Sequence, residues 1–159
     1  MNNKIKIGIG IIALFLTVVF LRDRKMKNAL KFSVDNEVFY PISVEERGEN
    51  LSILYIPDDE SASDYTRMIM LLSFNENVRN RESIFNKFIT QAGFPEYKGD
   101  QLEYFKIIDQ VPTYIVRKND CLVYYVDNRA SEKTNEEITN QSQQTLIQLG
   151  SMDCYPEVI

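Results

Sequence analysis

The residue types that usually perform chemistry are unevenly represented in this chain. It contains no histidine, so Ser-His-Asp catalysis, Cys-His catalysis and histidine-ligated zinc are excluded. Its two cysteines, Cys121 and Cys154, are too few for a zinc ribbon. Carboxylates are plentiful. Their densest group is Asp58, Asp59, Glu60 and Asp64.

This acidic run and the aromatic residue that follows it, Tyr65, form the candidate partner-binding site. Carboxylate oxygens suit calcium, but the spacing is not that of an EF-hand loop and no glycine lies inside the run. We therefore expect no metal and no cofactor. Exposed carboxylates attract basic proteins, and the alternative is a solvated loop without a binding role.

Other carboxylates leave an enzymatic alternative open. Pairs drawn from Glu103, Asp109 and Asp127 could act as in a glycosidase, although nothing in their spacing fixes the separation that such catalysis needs. A carboxylate-dependent envelope hydrolase is therefore the alternative to a binding function.

The cysteine pair predicts a disulfide if the domain is exported. Cys121 and Cys154 form an even pair, which permits one bond in an oxidising compartment. Two buried free thiols are the alternative, and Cys121 as a nucleophile would need a positive neighbour to hold a thiolate.

The distribution of charge separates the chain into two parts. Residues 1–31 hold seven of the 18 Lys and Arg and one of the 23 Asp and Glu, so residues 32–159 carry 11 basic and 22 acidic side chains, a net charge of −11. Nucleic acid is excluded as a partner, because phosphate binding depends on clustered Lys and Arg.

The amino-terminal segment contains Gly8-x-Gly10-x-x-Ala13, which resembles a dinucleotide-binding loop. Such a loop needs an amphipathic helix behind it, yet from Ile7 to Leu21 the only polar side chain is Thr17. The run predicts a membrane segment over residues 5–22, with flanking Lys6 and Arg22 able to reach the headgroups.

The last residues of this apolar run distinguish an uncleaved anchor from a cleaved signal peptide. The run closes in Val18-Val19-Phe20-Leu21, without the small residues of a cleavage site. We therefore expect an uncleaved, single-pass signal anchor in a bacterial inner membrane with a periplasmic domain. The basic residues at 22–31 argue for the reverse topology, which would make the chain a cytoplasmic membrane-tethered adaptor.

Residues 32–159 predict a single α+β domain with an antiparallel sheet and two helices on one face. A helix over 78–92 places Val78, Phe85, Phe88, Ile89 and Ala92 on one stripe. Thr134 to Glu137 match a capping box that begins a second helix, which ends at Gly150. The predicted strands are 37–40, ended by Pro41 and continued at 42–44, then 51–56, 66–74, 102–108, 113–117 and 121–126.

One short stretch resembles small uncharacterised bacterial envelope proteins. Tyr55-Ile56-Pro57-Asp58-Asp59-Glu60, followed by Tyr65-Thr66-Arg67-Met68-Ile69, is similar to their strand that ends in Pro, polar loop with Glu, and aromatic-Thr before a second strand. Tyr65 stands where those proteins usually have Trp. The resemblance covers 15 of 159 residues and implies an aromatic packed under the loop and an envelope location, with no catalytic residues.

These observations favour a non-enzymatic protein-binding domain that is anchored in the membrane. It would be a subunit of an envelope complex or an immunity-type protein that neutralises a basic toxin. The nine tyrosines are numerous for this length and suggest a tyrosine-bearing sheet face at an interface. Packing in the core is the alternative.

Overall fold

In the residues that the structure describes, an antiparallel sheet and two helices form an α+β fold, which confirms the predicted fold class. The computed structural model describes residues 19–20, 28–47, 50–74, 80–97, 99, 101–118, 120–129 and 134–156. The strands are β1 (Val19–Phe20), β2 (Phe32–Val34), β3 (Glu37–Arg47), β4 (Asn50–Pro57), β5 (Arg67–Phe74), β6 (Gln101–Ile108), β7 (Val111–Lys118) and β8 (Cys121–Asp127). The helices are α1 (Arg81–Gln91) and α2 (Asn135–Gly150).

Neighbouring strands follow the order β1-β3-β4-β5-β8-β7-β6, and β2 pairs with β3 beside β1. The predicted meander is present in β6, β7 and β8, with Lys118 opposite Cys121 at the last hairpin. Two other hairpins turn through pairs of residues with positive φ, Asp35-Asn36 at 52° and 65° and Asp109-Gln110 at 49° and 68°. Consecutive positive φ values match the twist of a two-residue hairpin, and Asp and Asn tolerate them.

The two helices pack on opposite faces of the sheet, so the prediction that both share one face was wrong. On β5, Met68 and Leu72 pack with Phe85 and Ile89 of α1. The alternate residues Ile69 and Leu71 pack in the cluster that contains Leu146 and Leu149 of α2. A strand that is buried on both faces has a continuous apolar sequence. The apolar sequence of β5 therefore does not indicate which helix covers which face.

Pro41 does not end a strand, which corrects the predicted break. β3 continues through it, and the register with β4 shifts between Pro41 and Ser43. Proline lacks the N–H of a sheet ladder and is accommodated at such an irregularity. The predicted strand and its continuation are therefore one bent element.

Both helix predictions are confirmed in type. The stripe of α1 buries Phe85, Phe88 and Ile89, while Val78 lies outside the described residues. The Thr134 side chain accepts from the Glu137 N–H, and the Glu137 carboxylate accepts from the Thr134 N–H at 2.8 Å. The capping box predicted from the sequence is thus present at the start of α2.

Most of the predicted membrane segment, residues 5–18 and 21–22, lies outside the described residues. Val19 and Phe20 are described, and they form a strand, with Val19 opposite Val44 and Phe20 opposite Ser43 of β3. Across the part of the chain that the structure describes, no helix has the length and hydropathy needed to cross a bilayer.

Candidate functional site

The predicted partner-binding residues lie in the loop between β4 and β5. Asp58, Asp59 and Asp64 are exposed, whereas Glu60 and Tyr65 are partly buried. The loop folds on itself, because the Glu60 N–H donates to the Pro57 carbonyl at 3.2 Å and the Asp64 N–H donates to the Ser61 carbonyl at 3.0 Å. The loop is flanked by β4 and β5, and Tyr65 packs against the core cluster that contains the buried side chains of α1.

Glu60 holds this loop to the start of β5. Its carboxylate accepts from the Thr66 N–H at 2.7 Å, the Thr66 hydroxyl at 2.6 Å, the Arg67 N–H at 3.1 Å and the Arg67 Nε–H at 2.7 Å. Burial raises the pKa of Glu60, but these hydrogen bonds outweigh burial and leave the pKa below its ordinary value. Glu60 therefore fixes the β4–β5 loop to the residues at the start of β5.

Arg67 connects the loop to the rest of the sheet. It is 3% exposed, and it donates to both oxygens of Asp59 at 2.8 and 2.9 Å and to Glu37 at the start of β3. Burial lowers the pKa of Arg67, but its hydrogen bonds to Glu60 and Glu37 raise the pKa above its ordinary value. The guanidinium stays charged and neutralises carboxylates from two elements.

Arg129 extends the ion pairs to the end of β8. It donates to both oxygens of Glu37 at 2.7 and 2.9 Å and contacts Asp127 at 3.3 Å. The two arginines were not singled out from the sequence. The available signal was a charged residue, Arg67, at the head of an otherwise apolar strand, since burial of such a residue implies a counterion.

This end of the sheet, which we call the acidic end, consists of the β4–β5 loop, the β2–β3 and β6–β7 turns, residues 127–129 and the start of α2. Its inner carboxylates, Glu37, Glu60 and Asp127, are bound by arginine. Its outer carboxylates are exposed, and one of them, Asp59, is also paired with Arg67. They are Asp58, Asp59, Asp64, Asp109 and Glu136.

The carboxylates of the acidic end also raise the pKa values of tyrosines in the adjacent core. Burial, followed by the charges of Asp127 and Asp35, raises the pKa of the Tyr125 hydroxyl. Burial and then Asp35 raise the pKa of Tyr114. These side chains line a cavity of about 20 Å³ between the sheet and α2, which has room for a single water molecule and not for an organic ligand.

The tyrosines do not form an exposed sheet face, which corrects that interpretation. Four of them, Tyr55, Tyr114, Tyr124 and Tyr125, are buried. Tyr114 stacks on Tyr125 with ring centroids 5.4 Å apart, and Phe88 of α1 contacts Tyr124 edge-on at 5.3 Å. Because a helix covers each face, these four tyrosines pack in the core.

Cys121 and Cys154 form the predicted disulfide, at the end of β8 opposite to Asp127. Their Cα atoms are 5.5 Å apart, and Cys121 is buried. The bond fixes the tail after α2, which is also held by Lys118, whose Nζ donates to the carbonyls of Gly150 and Met152. Both thiols are consumed by the bond, so Cys121 does not act as a nucleophile here.

The carboxylates considered for hydrolysis have other surroundings. Asp127 is paired with Arg129, Asp109 is exposed in the β6–β7 turn, and Glu103 lies beside Gly150 at the end of α2. Within the described ranges no group of three acidic or cysteine side chains is arranged to hold a metal ion.

Comparison with known proteins adds no family to this description. No protein-family model matches the chain. No curated protein and no solved structure matches it.

Proposed function

We propose that this chain is a membrane-anchored, non-enzymatic domain that binds a basic protein partner through its acidic end, outside the cytoplasm. It would serve as a subunit of an envelope complex or as an immunity-type protein against a basic toxin. The observation that carries the proposal is the arrangement of the β4–β5 loop. Glu60 and Arg67 hold the loop to the sheet, Asp59 is exposed but paired with Arg67, and Asp58 and Asp64 are exposed.

A loop that is held in one conformation loses little entropy when a partner binds, so its outer carboxylates are preorganised. Their potential steers a basic surface toward the domain and rejects acidic ones. Both sheet faces are covered by helices, so the ends and edges of the sheet remain for contact with another protein.

The disulfide supports a location outside the cytoplasm, because such bonds persist in oxidising compartments and are rare in reducing ones. The anchor itself rests on the apolar run of residues 5–22. A bacterial inner membrane with a periplasmic domain is the placement that combines the two.

Binding is tested by affinity capture with the full chain from envelope fractions. Asp58→Asn/Asp64→Asn should lose a partner that the wild type retains at moderate salt and releases at high salt, since Debye screening weakens exposed charge pairs. Glu46→Gln/Glu96→Gln removes the same charge from exposed positions elsewhere and should retain the partner. Equal recovery by both variants, or recovery of bulk membrane alone, contradicts the proposal.

Placement is tested by a carboxy-terminal reporter that is active only in the periplasm, together with non-reducing electrophoresis. The reporter should be active, and Cys121→Ser should shift the band because the closed loop is lost. An inactive reporter with both thiols open to alkylation would instead identify a cytoplasmic tethered adaptor.

A further inference from the structure

β1 and the predicted membrane anchor use the same residues. The apolar run continues through Val19, Phe20 and Leu21, yet Val19 and Phe20 pair with Val44 and Ser43 on the outer edge of β3. We infer that membrane insertion and β1 pairing compete, and that full insertion uncovers the edge of β3 at Ser43–Val44. This inference rests on the membrane anchor of the proposed function.

The lengths of the two segments carry this inference. A helix rises 1.5 Å per residue and the hydrocarbon core is about 30 Å thick. With Val19 and Phe20 held on β3, the part of the predicted membrane segment that remains, residues 5–18, spans only about 21 Å as a helix. Releasing the two residues of β1 also adds the following Leu21, and residues 5–21 span about 25 Å, with Lys6 and Arg22 able to reach the headgroups.

The local structure of β3 allows β1 to separate from it while β2 stays paired. β2 holds the other half of the same edge, at Glu37, Val38 and Phe39, and it is joined to β3 by a two-residue turn. β1 contributes only two residues and has no such short connection to β3. The register shift next to Pro41 lies between the two halves, so loss of β1 need not disturb β2.

The uncovered backbone would give the anchored protein a free strand edge. Occupation by β1 closes this edge, so the backbone groups of Ser43–Val44 that face β1 would be unpaired only in molecules that are inserted in a membrane.

Hydrogen exchange of the full chain in lipid nanodiscs tests the competition. The control is a lengthened chain with six leucines inserted after Ile12, which completes a span of about 20 residues without Val19 and Phe20. The wild-type amide of the Ser43–Val44 pair that points toward β1 should exchange at least about tenfold faster than in the lengthened chain. The amides of Glu37 to Phe39 should exchange equally in both.

Protease protection of the amino-terminal segment reports insertion in the same samples. If the segment is inserted and the Ser43–Val44 amide exchanges equally slowly in both chains, the inference is wrong while the anchor stands. If the wild-type chain does not insert, the anchor of the proposed function and the inference both fail.

Discussion

Glu60 is the single side chain on which the β4–β5 loop most depends. Its carboxylate accepts four hydrogen bonds from Thr66 and Arg67, and its side chain is 10% exposed. A neutral amide of the same shape can accept fewer of these donors and removes the charge next to a buried guanidinium. The loop that carries the outer aspartates should therefore lose its fixed conformation when Glu60 is changed.

Glu60→Gln should lower the free energy of unfolding by about 2–3 kcal/mol, measured by urea denaturation. Asp64→Asn, an exposed carboxylate four residues further on, should change it by less than about 0.5 kcal/mol. Equal effects of the two substitutions would show that the hydrogen bonds to Glu60 contribute nothing specific.

Glu60 also makes stability depend on pH. Its pKa in the folded chain is below its ordinary value of 4.5, so its contribution is complete above pH 4.5 and is lost as the pH falls through the folded pKa. Unfolding curves of wild type should therefore weaken in that acid range more than those of Glu60→Gln. Parallel pH profiles would contradict this assignment.

Arg117 is a buried charge with one described carboxylate partner. It is 1% exposed, donates to both oxygens of Glu82 and lies 4.9 Å from the centre of the Phe85 ring. Its Nε–H has no hydrogen-bond acceptor among the described residues. The hydrogen bond from Arg117 lowers the pKa of Glu82. Such a residue stabilises the fold less than its contacts suggest, because its desolvation offsets them.

Removing the two partners of this pair should have unequal effects. Glu82→Gln leaves a buried charge without a counterion and should destabilise by about 1–2 kcal/mol, a figure reduced for the solvent around Glu82. Arg117→Met removes the charge and keeps the volume, so it should cost less than Glu82→Gln. Adding Glu82→Gln to Arg117→Met should change thermal stability little, and additive losses would overturn this account.

At the scale of elements, the start of α2 depends on its capping box. Thr134→Ala removes an acceptor for the Glu137 N–H and should cost about 1 kcal/mol. Thr139→Ala is the matched control, because Thr139 is also an exposed threonine. Its hydroxyl donates to the Asn135 carbonyl within the helix and does not cap the helix. Thermal unfolding should separate the two variants, and equal midpoints would contradict a capping role for Thr134.

The disulfide and the tail after α2 form the second element that can be tested separately. Cys121 and Cys154 are 33 residues apart, and closing a loop of that size stabilises by about 3–4 kcal/mol in the chain-entropy model. Cys121→Ala/Cys154→Ala should lose that amount in chemical unfolding. Reductant should bring the wild type to the same midpoint and leave the double variant unchanged.

Sequence patterns identified the elements better than their arrangement. Strands β3 to β8, both helices, the capping box and the cysteine pair could be predicted, because each depends on local signals such as alternation, i to i+4 spacing or an even number of cysteines. The short strands β1 and β2 were not predicted. The covering of opposite faces could not, because β5 is apolar on both sides. The role of Glu60 was equally hidden, since its partner Arg67 is recognisable only once the strand is known to be buried.

At the scale of the whole molecule, the buried tyrosines set its behaviour in alkali. Burial raises the pKa of Tyr124 to about 12 from an ordinary value of 10.0, and burial raises the pKa values of Tyr55, Tyr114 and Tyr125 as well. The stability that these neutral hydroxyls contribute is complete below pH 10 and declines as the pH rises through the folded values.

The tyrosinate absorbance of these four buried tyrosines should therefore rise only above pH 10 in the native protein, together with unfolding. In denaturant a single transition near pH 10 is expected. A single native transition at that pH would show that the tyrosines are accessible and that the packing described for both sheet faces is wrong.

The position of Cys154 also determines when the disulfide can form during synthesis. Cys121 opens β8, whereas Cys154 follows the whole of α2, so a ribosome releases the second sulfur only after the last helix has emerged. A chain that stalls between these two residues presents Cys121 as a free thiol, whereas both cysteines are bonded in the structure. Oxidation can therefore form this bond only in chains that have been synthesised past Cys154.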